Sequence, residues 1–107
     1  MRKILIFGAG RSSSSLIKYL LDISKEENWF LTVLDADLES AQDKVGNHPN
    51  AACFSIDASN QNIRLKYIRE ANIVISMLPA FLHIQILKDA IDCGVHVITP
   101  SYVTDEI

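Results

Sequence analysis

Gly8, Gly10 and Asp35 carry the first chemical signal, with Asp35 following Gly10 by 25 positions. Gly8-Ala9-Gly10 comes straight after the apolar run Ile4-Leu5-Ile6-Phe7 and straight before a helical pattern. A glycine at position 8 lets a chain reverse tightly from strand to helix. One at position 10 lets backbone approach a pyrophosphate closely. The N–H groups and positive dipole end of the new helix then face anionic oxygens. Arg11 and Ser12 stand where a guanidinium and a hydroxyl add phosphate bonds. Ser13 takes the place of the third glycine of the G-x-G-x-x-G pattern, where a small residue packs helix against strand. A carboxylate at Asp35 accepts both hydroxyls of an adenosine ribose and repels a 2′-phosphate. Together these residues point to a nucleotide without by themselves separating NAD from S-adenosylmethionine or FAD; among nicotinamide dinucleotides the acid favours NAD, with NADP possible.

Other candidates fall at later segment ends. Asp57-Ala58 closes the third apolar segment, where an adenine would lie; Asp57 either bonds the adenine amine or caps the next helix. Leu78-Pro79 ends the fourth segment opposite the glycine turn, beside the expected nicotinamide ribose. His83 has no partner in the pattern and reads as a surface histidine. Ser101-Tyr102 follow the fifth segment toward the same crevice, with hydroxyls for a substrate or for loop backbone. No residue is assigned a catalytic role. Cys53 and Cys93 stand alone in apolar segments, as buried free thiols of a reducing cytosol would, and neither a disulfide nor a metal site is expected.

The elements that must position these residues alternate along the chain. Ile4–Phe7 is too continuous for a half-exposed strand and too short for a helix, so it reads as a strand buried on both faces. A first helix spans about Arg11 to Lys25, with Leu16, Ile17, Leu20 and Leu21 on one face. Trp29–Leu34 is a second strand, stopping at Asp35. Asp37 caps a second helix carrying Leu38, Ala41 and Val45 on one face, with Glu39 in its first turn. Gly46–Asn50 breaks the chain. Ala51–Ile56 is strand three, and Ser59 or Asn60 caps a third helix carrying Ile63, Tyr67 and Ile68. Ile73–Leu78 is strand four, followed by a helix with Ile84, Leu87, Ala90 and Ile91 on one face and Gly94 at its end. Val95–Thr99 is strand five, stopped by Pro100. Five strands and four helices in alternation predict an α/β fold, a doubly wound parallel sheet (Rossmann fold) in the order 3-2-1-4-5.

All 107 residues read as one dinucleotide-binding domain, with 49% hydrophobic and 21% charged residues. Ten basic residues against 13 acidic ones give a net charge of −3 with no basic run, which argues against nucleic acid as a partner. No stretch nears transmembrane length, so no membrane partner is expected and a cytoplasmic location is.

The combination of ILIFGAG, VISMLPAFLH, ILKDAIDCGVHVIT and the terminal SYV resembles the N-terminal domain of saccharopine dehydrogenase (saccharopine reductase type) across essentially the whole chain. The resemblance implies an oxidoreductase of lysine metabolism whose first domain binds NAD(P). It also implies a second domain, beyond residue 107, that supplies much of the site for an amino-acid-derived secondary amine or imine. On it, Gly8, Gly10 and Arg11–Ser13 match the phosphate turn, Asp35 the cofactor-specificity position and Leu78-Pro79 the dinucleotide crevice. Ser101-Tyr102 match the segment entering the substrate cleft. Several reductases of the family use NADP(H) and carry a basic or small polar residue where this chain has Asp35. A fragment lacking the second domain is expected to be inactive alone, and a homo-oligomer is compatible with the family. Two other readings use a similar glycine turn and acid: a regulatory NAD sensor of the potassium-transporter type, and a methyltransferase.

Overall fold

The computed structural model describes residues 2–8, 14–46, 48–78 and 80–98. Five strands alternate with four helices: β1 (Arg2–Phe7), α1 (Ser14–Glu27), β2 (Trp29–Asp35), α2 (Leu38–Val45), β3 (Ala51–Ser55), α3 (Gln61–Ile68), β4 (Ile73–Ser76), α4 (Ala80–Asp92) and β5 (His96–Ile98). The strands form one sheet in the order β3-β2-β1-β4-β5 with every pair parallel. The doubly wound topology expected from the alternation is the one observed.

β1 divides the core. Ile4 and Ile6 pack with Ile17, Leu20 and Leu21 of α1 and with Ala41 and Val45 of α2. Leu5 and Phe7 pack on the other side, with Ile68 of α3 and Ile86 and Ala90 of α4. Alternate side chains of a strand point to opposite faces, so a strand covered on both sides must be apolar at every position. Burying each of these side chains contributes roughly 1.5–3 kcal/mol relative to exposing it.

Local chemistry sets the ends. The Asp37 carboxylate accepts from the Glu39 N–H at 3.0 Å and caps α2. Asn60, of the two candidates, caps α3 by accepting from the Ile63 N–H at 3.2 Å. Asn72 brackets Lys3: its N–H donates to the Lys3 carbonyl, and its Oδ1 accepts from the Lys3 N–H, both at 2.8 Å. That pair fixes the start of β4 against β1.

Several expectations need correction. Strands three and four end earlier than their apolar letters do, at Ser55 and Ser76, and strand five starts at His96 rather than Val95, while Thr99 lies outside the described residues. Leu38 is exposed, since it opens α2 before the helix face turns inward. Cys53 and Cys93 are only half-buried; β3 is an edge strand, and Cys53 Sγ lies 3.4 Å from Gln42 Oε1.

The largest departure is the face of α4. Ile84 and Ile91 are 48% and 66% exposed, while His83, Ile86, Asp89 and Ala90 are buried. The same face brings Asp89 to Arg64 of α3. Arg64 Nε donates to Asp89 Oδ2 at 2.6 Å, with both side chains 4% exposed. The inward side of α4 carries Ile86 and Ala90 into the apolar cluster with Phe7 and Ile68, and a substitution at either Arg64 or Asp89 alone strands a buried charge beside it. Arg64→Met alone is therefore expected to destabilise the fold by about 3–5 kcal/mol in urea unfolding. Arg64→Met combined with Asp89→Leu is expected to recover most of that loss, as no charge is then stranded.

Candidate functional site

The carboxyl edge of the sheet is held in line by two backbone bonds. The Gly8 N–H donates to the Leu34 carbonyl at 2.7 Å, and the Met77 N–H donates to the Phe7 carbonyl at 2.9 Å. Pairing of β1 with both neighbours thus extends to the last residue before the turn. Gly8 has φ +99°, a conformation that side-chain-bearing residues rarely adopt. A Cβ there would also meet Leu78 Cδ2 at 3.2 Å and the Met77 carbonyl carbon at 3.4 Å. Glycine is required at position 8 on both counts. Gly10, Arg11, Ser12 and Ser13, the rest of the expected phosphate turn, lie outside the described residues, as do Pro79, Ser101 and Tyr102.

Beside this turn lies a cavity of about 210 Å³. One wall is the end of β2, Leu34 to Ala36; a second is the segment after β3, Ile56 to Ser59; Leu78 and Leu82 of α4 close the third side. Asp35, Asp57, Ala58 and Leu78 are thus brought together around one space. Ile56 N–H donates to the Asp35 carbonyl at 3.0 Å, and Ser55 Oγ donates to the Ala36 carbonyl at 3.0 Å, which joins the two strand ends. The Asp35 carboxylate accepts from the Asp37 N–H at 3.3 Å through Oδ2.

Asp57 does not cap α3. Its Oδ1 accepts from the Ser59 N–H at 3.0 Å and from Ser59 Oγ at 2.6 Å, closing a turn on itself. Those two bonds hold its carboxyl below the usual range near 3.8, side-chain bond first, so the group stays ionised. The cavity therefore presents two carboxylates on an apolar floor. Acceptors of this kind suit ribose hydroxyls and an exocyclic amine, and disfavour a phosphate.

His83 is not a surface residue. It is 1% exposed, on the same side of α4 as Ile86 and Ala90, and burial pushes its pKa below the ordinary 6.5. Ser76 is also fully buried, level with Phe7 in the sheet, and its Oγ has no hydrogen-bond partner among the described residues. Its signal in the sequence was a lone hydroxyl inside an apolar strand. A larger space of about 400 Å³ lies elsewhere, along the starts of β1 and β2 and the end of α3, away from the strand ends. Among the described residues there is no cluster of metal-ligating side chains, and no helix is long and apolar enough to cross a membrane.

Residues 4–107 match the family model described as the saccharopine dehydrogenase NADP binding domain. The chain belongs to that family. This saccharopine dehydrogenase NADP binding domain is thus a nicotinamide-dinucleotide-binding domain, and the family gives no support to the transporter-sensor reading. It is 31% identical over its whole length to a saccharopine dehydrogenase [NADP(+), L-glutamate-forming] of Schizosaccharomyces pombe, of which it spans 23%. Over 96% of its length it is 30% identical to the mitochondrial alpha-aminoadipic semialdehyde synthase of Mus musculus, spanning 11% of that protein. In three dimensions, 92% of the chain superposes on 21% of an apo saccharopine dehydrogenase (L-Glu forming) from Saccharomyces cerevisiae, with TM-score 0.80 and 23% identity. That likeness speaks for the fold.

Gly8→Ala is expected to destabilise the domain by about 1–3 kcal/mol, the range for backbone forced into a sparsely populated region. It should also weaken dinucleotide binding, because Leu78 must move. Thermal melts and fluorescence titration with NADH measure the two effects; a variant unchanged in both would show that the turn tolerates a side chain.

Proposed function

We propose that the domain seats a nicotinamide dinucleotide across the carboxyl edge of the sheet, as one part of an oxidoreductase acting on an amino-acid-derived secondary amine or imine. The observation that carries this reading is the cavity that joins Asp35, Asp57 and Ala58 directly beside the positive-φ glycine ending β1. Asp35 accepts the ribose hydroxyls, Asp57 and Ala58 line the adenine, and Leu78 with Pro79 border the nicotinamide end. Gly8 and Gly10 admit the pyrophosphate, with Arg11, Ser12 and Ser13 as its further partners. The buried hydroxyl of Ser76, one residue before Met77 on the same edge, supports a polar ligand group near this point. The cofactor, when bound, supplies or accepts a hydride; the residues of this chain bind and orient it.

Two side chains bear on cofactor choice. The family is described as NADP binding, yet Asp35 and Asp57 both line the cavity, and its lining among the described residues holds no Lys or Arg. Carboxylates there accept a free 2′-hydroxyl and repel a 2′-phosphate. NADH is expected to bind more tightly than NADPH in calorimetric titration, and Asp35→Ser to narrow the gap. Clearly tighter NADPH binding would overturn this preference.

The substrate site is read as shared with a second domain. The fission-yeast relative is named for forming L-glutamate from saccharopine, and this chain spans 23% of it. Ser101 and Tyr102 are this chain's candidates for that site. Reaction in lysine metabolism, a cytoplasmic location and a homo-oligomeric assembly belong to the same reading. Hydride transfer needs the acceptor carbon held against the nicotinamide. The 107 residues alone are accordingly expected to give no turnover of saccharopine in a nicotinamide absorbance assay. Steady turnover would mean that these five strands build the substrate site by themselves.

A further inference from the structure

The Arg64–Asp89 pair reaches beyond the two helices it joins. Arg64 Nη1 donates to the Ala58 carbonyl at 2.8 Å, in the segment that forms one wall of the cavity. Asp89 accepts from Arg64 Nε through Oδ2 and from Gln61 Nε2, at 3.3 Å, through Oδ1. Gln61 is the first residue of α3, directly after the cap that ends the same wall segment. On α4, Leu82 lines another side of the cavity and stands seven residues before Asp89. Seven residues are two helical turns, so Leu82 and Asp89 share one side of α4.

The ion pair therefore ties the Ala58 segment to α4, and both line the cavity. Stability alone is a weak reason for it, because well-packed apolar residues often replace a buried ion pair without loss. What an apolar pair cannot do is hold a backbone carbonyl at a set distance. Arg64 does so with one guanidinium nitrogen while another engages Asp89.

We propose that Arg64 and Asp89, with Gln61, are positioning residues that set the width of the adenosine cleft by fixing the Ala58 wall relative to Leu82 of α4. The proposal rests on the seating of the adenosine described above. A cleft of set width binds flat adenine well and rejects a wider base. Loosening it lowers affinity for adenine and, more tellingly, lowers discrimination against a base enlarged by a fused ring.

The test compares NAD with its etheno-adenine analogue by calorimetric titration, in the parent chain and in Arg64→Met with Asp89→Leu. Thermal melts verify that the variant folds. The expected result is NAD binding weakened about tenfold, with a smaller ratio of NAD to etheno-NAD affinity. Gln61→Leu leaves the ion pair whole and removes only the donor to Asp89 Oδ1. It is expected to shift the same ratio in the same direction by about threefold or less, so the measurement stands even if the double variant does not fold. Parent-like NAD affinity and ratio in the variants would overturn the proposal and leave the adenosine seating untouched. Equal binding of NAD and nicotinamide mononucleotide by the parent chain would remove adenosine from the cavity, and the proposal with it.

Discussion

β1 has no side that it can show to water. Past the exposed Arg2 and Lys3, its residues Ile4 to Phe7 are all buried, two against α1 and α2 and two against α3 and α4. Only the middle of a sheet covered on both faces accommodates such a strand, so the rest of the topology follows from it. Right-handed crossovers carry the chain outward through β2 and β3 on one face and through β4 and β5 on the other. The direction of winding reverses beside β1, and the crevice of a doubly wound sheet opens where it reverses. The ordered edge there, from the Leu34 carbonyl through Gly8 to Met77, is a consequence of the same burial.

Charge then divides the edge into regions. Asp35 and Asp57 stand after neighbouring strands, and Ser59 keeps Asp57 ionised by donating two bonds to a single oxygen. Such a rim attracts hydroxyl and amine donors and repels phosphate oxygens. On the seating proposed above, the phosphates lie toward the start of the helix after the glycine turn, since a helix N-terminus offers N–H donors and a favourable dipole. One sheet edge thus sorts the parts of a dinucleotide by polarity before any side chain distinguishes one dinucleotide from another.

The strand order and the residues around the cavity were legible in the sequence because each has a local signature. The Ile4–Phe7 run needs no partner to be read, and Asp35 is marked by its distance from a glycine turn. The face of α4 was not legible in this way. Arg64 and Asp89 lie 25 residues apart in different helices, and neither letter indicates that it will be buried. Apolar counting placed Ile84, Leu87, Ala90 and Ile91 on one face, whereas the buried side carries His83, Ile86, Asp89 and Ala90. Ser76 illustrates the intermediate case. A hydroxyl inside an apolar strand was visible, but its unpartnered state depends on which strands end beside it.

Family membership and cofactor preference are properties of different parts of this domain. Apolar strands and a glycine turn are what any nicotinamide dinucleotide requires equally of such a domain. A phosphate on the adenosine ribose meets only the loop that leaves β2. Specificity is a difference between two affinities, and one repulsive side chain creates it without altering a single core contact. On the reading proposed above, Asp35, whose Oδ2 accepts from the Asp37 N–H just before α2, is such a side chain. The preference for NAD rests on that one carboxylate, whereas the match along residues 4–107 speaks for dinucleotide binding as such.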